Sequence, residues 1–145
     1  LSVRMKHASE LAMQLASKLQ QHPALDGVDY PGLPNNPSHI TARDLLKGRY
    51  GNMVTIHLKT IPGQDVNATV QSFIERISHV VPFCPSLGDA KTTLSHPAST
   101  SHRSYAAEDL AKIGVSAGTL RFSCGLEEPS EIVLAIEDAL NALRV

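Results

Sequence analysis

In the stretch TLRFSCGLEEPSE, residues 119–131, an arginine interrupts what otherwise alternates like a buried β-strand. On such a strand Leu120, Phe122 and Cys124 share one face, and Arg121 projects with Ser123 from the other. A guanidinium is costly to bury without a partner. Arg121 therefore reaches water, pairs with a surface acid from an edge strand, or meets an anion. The anion would be well matched, because the planar fork of donors fits a carboxylate bidentately, as the point charge of a lysine does not.

A second candidate is the run Ser86-Leu87-Gly88-Asp89-Ala90-Lys91. Its glycine permits close approach of the backbone to a ligand, and Ser86 offers an anion both a hydroxyl and an N–H. Turns of this composition also occur with no ligand at all. The histidines form no metal pattern: His96 and His102 stand six apart with Pro97 between them, unlike a helical ligand pair. No metal ligand and no catalytic residue is assigned. The chain has neither GxGxxG nor GxxxxGK[ST] for phosphates.

The elements that must present these residues follow from periodicity. Ala8, Leu11, Leu15 and Leu19, widened by Ala12 and Ala16, form the stripe of an amphipathic helix over residues 1–22 that Pro23 closes. Part of that stripe is expected to be exposed if the chain stands alone. Val28-Asp29-Tyr30 reads as a short strand entering the turn PGLP, and Ser38 as the cap of a helix through Leu46. MVTIHL, residues 53–58, alternates as a strand, and Asp65 caps a helix carrying Val66, Val70, Phe73 or Ile74, and Ile77 on one side. VVPF, residues 80–83, suits a strand, and the 19 residues from Cys84 to His102 read as one long polar loop, a length that favours function. A helix from Ser104 to Ile113 stops at Gly114, and the final helix opens on EEPSE with Ile132, Ile136, Leu140 and Leu143 on one side. Alternating elements joined by short connections predict an α+β fold, a small mixed or antiparallel sheet covered by helices.

Bulk properties narrow the function. With 145 residues the chain suits one domain, and a formal charge of −1 supplies no basic field for nucleic acid or anionic membrane. No apolar run approaches the roughly 20 residues of a membrane span. Cys84 and Cys124 lie in apolar contexts and are expected to be reduced, buried thiols of a cytoplasmic protein. The chain starts on Leu1, already inside a helical pattern, which reads as a cut end.

Six segments in order, YPGLPNNPSH, GNMVTIHL, PSLGDAK, HPASTSH, LRFSCGLEEPSEI and the opening Val3-Arg4-Met5 with His7, resemble the C-terminal domain of the pyridoxal-phosphate (PLP) enzymes of cysteine and methionine metabolism, the trans-sulfuration family. The resemblance covers nearly the whole chain. It implies the small domain of a fold-type I PLP enzyme: residues 1–22 lead in as a helix from a missing larger domain, and residues 23–145 form the α+β C-terminal domain. It implies further that Arg121 clamps the substrate α-carboxylate, with Ser86, Leu87 and Ser101 as further substrate-binding positions. PLP, its Schiff-base lysine and its phosphate site would belong to the missing domain, leaving this chain inactive alone. The implied substrates are homoserine esters, cystathionine or methionine, and the implied assembly is a homotetramer. Ser101 replaces a common threonine, Cys124 a common valine, and Pro85 an acid found in some lyases. GDAK with HPAST resembles the sulfhydrylase branch, whereas Ser86-Leu87 resembles the synthases and lyases, so the subtype stays open. The alternative reading is a non-catalytic domain that binds an amino acid or a protein partner.

Overall fold

The computed structural model describes residues 1–60 and 62–143; residues 144–145 of the expected second unit lie outside the described residues. Helix α1 (Ser2–Leu19) is followed by strand β1 (Leu25–Asp29), helix α2 (His39–Leu46), strand β2 (Met53–Leu58) and helix α3 (Val66–Ile77). Strand β3 (Thr93–Ser95), helix α4 (Ala107–Lys112), strand β4 (Thr119–Ser123) and helix α5 (Pro129–Asn141) complete the order. The four strands form one antiparallel sheet, in the order β1-β2-β4-β3. The expected α+β architecture is what the chain adopts.

The long helices cover one side of the sheet. Val54, Ile56 and Leu58 of β2, Leu120 and Phe122 of β4, and Leu94 of β3 all face the helices and are buried. Against them pack Leu11, Leu15 and Leu19 of α1, Val70, Phe73 and Ile77 of α3, and Ile132, Ile136 and Leu140 of α5. Period-two alternation then sends Thr55, His57, Thr119, Arg121, Ser123, Thr93 and Ser95 to the opposite, polar face, where Thr93, Ser95, Thr119 and Ser123 are nonetheless buried. The local signals behave as their chemistry requires. The Asp65 carboxylate accepts from the Asn67 N–H at 2.9 Å to cap α3, Pro129 opens α5, and Gly114 takes a positive φ of 72° after α4.

Several expectations need correction. The apolar stripe of α1 is not exposed: Ala8, Leu11, Ala12, Leu15, Ala16 and Leu19 are all buried, α5 being the main helix laid against α1. Residues 80–83 are not a strand. Val80 and Val81 close the end of α3 by donating to the Ile77 carbonyl, and Pro82 has no N–H to give a ladder. Only an isolated parallel bridge, Phe83 with Leu94, remains there. Conversely, the supposed polar loop contains β3, whose Thr93 and Ser95 lie on the face turned away from the helices and are nonetheless buried. β1 begins earlier than expected and ends at Asp29, and α4 begins later, at Ala107. Ser38 does precede α2 but makes no capping bond; the Asn36 side chain instead accepts from the Ser38 N–H at 2.9 Å.

The cysteines also differ from expectation. Cys124 is buried, but Cys84 is exposed, because it lies outside any regular strand, between Pro82 and Pro85. Burial, with the nearby charge of Glu127 second, pushes the Cys124 thiol up to about 12. The thiolate is the reactive form. A thiol reagent at pH 8 is therefore expected to modify one cysteine, Cys84, in the folded chain, and to reach Cys124 only on unfolding, as peptide mass mapping would show. Modification of both at equal rates would contradict this environment for Cys124.

Candidate functional site

Arg121 sits at the middle of β4, between Thr55 on β2 and Ser95 on β3. β4 is thus an interior strand, which removes the edge-strand explanation for the charge. Ser95 donates from Oγ to the Arg121 carbonyl at 3.4 Å, tying the backbone in place. Its neighbours on this face, Thr119, Ser123 and Ser95, are short hydroxyl residues that are themselves buried. The side chain is half-buried, and its Nε is fully buried without a hydrogen-bond partner. Among the described residues Arg121 enters no ion pair. A buried donor left unpaired costs about 1–3 kcal/mol. An unmet guanidinium donor is a place where an anion can supply what the fold does not.

The Ser86 loop is fastened to this face at the same end of β4. The next residue on the face, Ser123, accepts from the Gly88 N–H at 3.1 Å and from Asn52 Nδ2 at 3.1 Å. Thr93, the register partner of Ser123, donates to the Ser86 carbonyl at 3.5 Å. Arg4 of α1 donates from Nη2 to the Gly88 carbonyl at 3.2 Å. Ser86 is half-buried, and Leu87 presents its side chain to solvent, at 69% exposure. Gly88 adopts φ of 73°, the left-handed region that a side chain disfavours. Arg121 and the Ser86-Leu87 segment are therefore brought to one corner through Ser123 and Thr93. Ser101 is not joined to it by any hydrogen bond among the described residues; exposed beyond the short helical turn Pro97–Ser99, it contacts His102 Nδ1 at 2.8 Å.

Sequence reading overlooked Asn52, Thr92, Ser123 and Glu127, which fix the loop. The signal for Ser123 was present, since it shares the Arg121 face. Thr92 and Glu127 lie 35 residues apart, and nothing local links them. The histidines are structural. His96 Nε2 donates to the Ala117 carbonyl at 2.8 Å and its Nδ1 meets Ser99 Oγ at 2.8 Å. His57 Nδ1 meets Thr119 Oγ1 at 3.1 Å and its Nε2 meets Asp29 Oδ2 at 2.8 Å. Among the described residues no three metal-ligating side chains converge, and no helix is long and apolar enough to cross a membrane.

A family model described as Cys/Met metabolism PLP-dependent enzyme matches residues 1–141. The chain belongs to this family. Among relatives of the Cys/Met metabolism family, it is 35% identical over 143 residues to an L-methionine gamma-lyase of Pseudomonas deceptionensis, covering 99% of this chain and 34% of that protein. It is also 35% identical over 140 residues to O-acetyl-L-homoserine sulfhydrylase 1 of Thermus thermophilus, covering 97% of this chain and 32% of that protein. A crystal structure of an O-acetylhomoserine (thiol)-lyase from Campylobacter jejuni, which carries pyridoxyl-lysine-5'-monophosphate, superposes with a TM-score of 0.82 at 27% identity, over 97% of this chain and 32% of that one. The chain thus spans about a third of the length of these family members.

The family is PLP-dependent, so the fit of the cofactor can be tested on the residues present. A lysine that joins the cofactor carbonyl must first lose its proton, which burial promotes. All six lysines here, Lys6, Lys18, Lys47, Lys59, Lys91 and Lys112, are exposed. The described lysines therefore do not fit the carbonyl end of PLP.

Proposed function

We propose that this chain is the C-terminal, substrate-carboxylate-binding domain of a PLP-dependent enzyme that eliminates or replaces a group at the γ-carbon of a sulfur or homoserine-derived amino acid. The observation that carries this reading is the buried, unpartnered Arg121 Nε on the polar face of the sheet, beside a loop held with its serine at the same corner. In this reading α1 leads in from a larger domain that supplies PLP, residues 23–145 form the substrate domain, and the complete enzyme is a homotetramer acting on homoserine esters, cystathionine or methionine. PLP, when bound, supplies the electron sink for the reaction.

What the present residues do is hold and aim. Arg121 presents its fork to the α-carboxylate, giving two parallel charge-assisted bonds that fix the plane of the carboxylate. Ser86 and Leu87 bound the same end of the substrate, and Ser101 completes the binding set from the segment after β3. With one end fixed, the Cα–H and the γ-substituent take a defined direction, and positioning of that kind removes entropy from the barrier. A methionine lyase and a homoserine-ester sulfhydrylase at equal 35% identity are what this division of labour predicts, since both names denote chemistry on an amino acid with the same carboxylate end.

The test uses the complete protein with PLP against O-acetylhomoserine, cystathionine and methionine. Turnover of at least one is expected, and turnover of none would sink the enzymatic reading. The 145-residue chain alone, treated with PLP and then borohydride, is expected to retain no adduct on a single lysine. A specifically trapped lysine would show that the cofactor residue lies here.

A further inference from the structure

Five residues of the candidate loop, Leu87 to Lys91, are exposed, yet the loop does not end freely. Its last residue precedes Thr92, which is completely buried. Both carboxylate oxygens of Glu127 are spent on Thr92: Oε1 accepts from its N–H, and Oε2 accepts from its hydroxyl at 2.8 Å. That hydroxyl accepts in turn from the Gly125 N–H at 2.9 Å, so its single proton and its lone pair both have fixed partners. The Leu126 N–H donates to the Ala90 carbonyl at 2.8 Å. The two backbones are pressed together, since a Cβ on Gly125 would stand 2.5 Å from the Ala90 oxygen and 2.6 Å from the Lys91 carbonyl carbon. His7 of α1 donates from Nε2 to the Glu127 carbonyl at 2.8 Å, which anchors the turn itself.

We propose that Glu127 is a positioning residue: through Thr92, its carboxylate sets where the Ser86–Lys91 loop stands beside Arg121, and so sets how tightly and how selectively a substrate α-carboxylate is held. Glu127 needs no contact with substrate for this. It replaces the backbone ladder that a loop lacks with two bonds to an ionised acceptor, which are shorter and stronger than neutral ones. Its position in the chain accounts for the choice of residue. The turn 125–127 follows directly on β4, so one short segment carries both the guanidinium strand and the group that fixes the loop facing it. The inference rests on the reading of Arg121 as a carboxylate grip.

The experiment compares variants of the complete enzyme, each measured with an amino acid substrate and with its α-carboxamide. Glu127→Gln turns one of the two acceptors into a donor that faces a donor. It is expected to raise KM for the amino acid about tenfold, the scale of one hydrogen bond to a charged group. The preference for carboxylate over carboxamide falls by a similar factor, and kcat changes little. Thr92→Val, which keeps the shape and loses the hydroxyl, reproduces this pattern and serves if Glu127→Gln does not fold, whereas Thr92→Ser restores the wild-type values. Equal losses of kcat for both substrates at unchanged KM would mark a purely structural role and overturn the proposal, as would failure of Thr92→Ser to restore. Arg121→Ala, run in parallel, separates the two ideas. If it abolishes the carboxylate preference while Glu127→Gln and Thr92→Val leave it intact, the positioning role alone is wrong. If Arg121→Ala itself leaves the preference intact, the carboxylate grip is wrong, and the positioning proposal falls with it.

Discussion

Replacing Arg121 by alanine in the complete enzyme is expected to lower kcat/KM by about two to four orders of magnitude, the equivalent of roughly 3–5 kcal/mol for removing one partner of a desolvated charge pair. The loss arises twice over: the substrate carboxylate gives up its bidentate partner, and it remains desolvated with nothing to meet it. Arg121→Lys keeps the charge but not the planar fork, and should fall between the two. Stability should move the other way. Because the Nε of Arg121 is buried without a partner, a long apolar replacement such as Arg121→Met removes an unsatisfied donor, and the thermal midpoint is expected to rise by a few degrees as activity disappears. An unchanged kcat/KM would take Arg121 out of the site. A lowered midpoint in the methionine variant would mean that the fold does satisfy the guanidinium.

The largest effect on stability is expected one residue along, at Phe122. Its ring is fully buried, meets Phe73 edge-on with centroids 6.4 Å apart at 83°, and lies opposite Val54 and Leu94 on the flanking strands. It therefore joins the strand that carries the guanidinium to α3 and to both neighbouring strands. Phe122→Ala removes the ring and leaves a cavity that four elements would have to close, at a cost of about 3–5 kcal/mol. Denaturant unfolding of the chain is the direct measurement, read as a lower midpoint at unchanged slope. A change below 1 kcal/mol would mean that the core collapses into the space or was never packed as described.

How much of this was legible beforehand depended on how local the signal was. Helices α1, α3 and α5 declared themselves through apolar residues at helical spacing and through Asp65 and Pro129 at their starts, and β2 and β4 through alternation, because each such cue lies within one element. β3 was missed because it is three residues long and offers a single apolar residue, Leu94; its polar members are buried in the fold but resemble loop residues in sequence. VVPF misled in the opposite way, since Val80 and Val81 serve the end of α3 and Pro82 can accept from Leu94 but has no N–H to donate. At the site, Arg121 stood out as a charge inside an apolar run, and the glycine-containing loop could be named from its composition. Ser101 rested on family resemblance, and its hydroxyl contacts its own neighbour, His102. The contacts of Glu127 with Thr92 depend on pairing residues far apart in the chain, which no spacing rule reaches.

The interior placement of β4 bears on how this sequence can drift. An inserted or deleted residue within 119–123 would exchange Arg121 with Phe122 between the polar and apolar sides of the sheet, so its effect cannot be graded; the segment keeps its length or loses both faces together. The outer border at β1 already accommodates an irregular step between Leu25 and Gly27 without disturbing its neighbours, and length variation among descendants of this chain is expected to collect there and around α4.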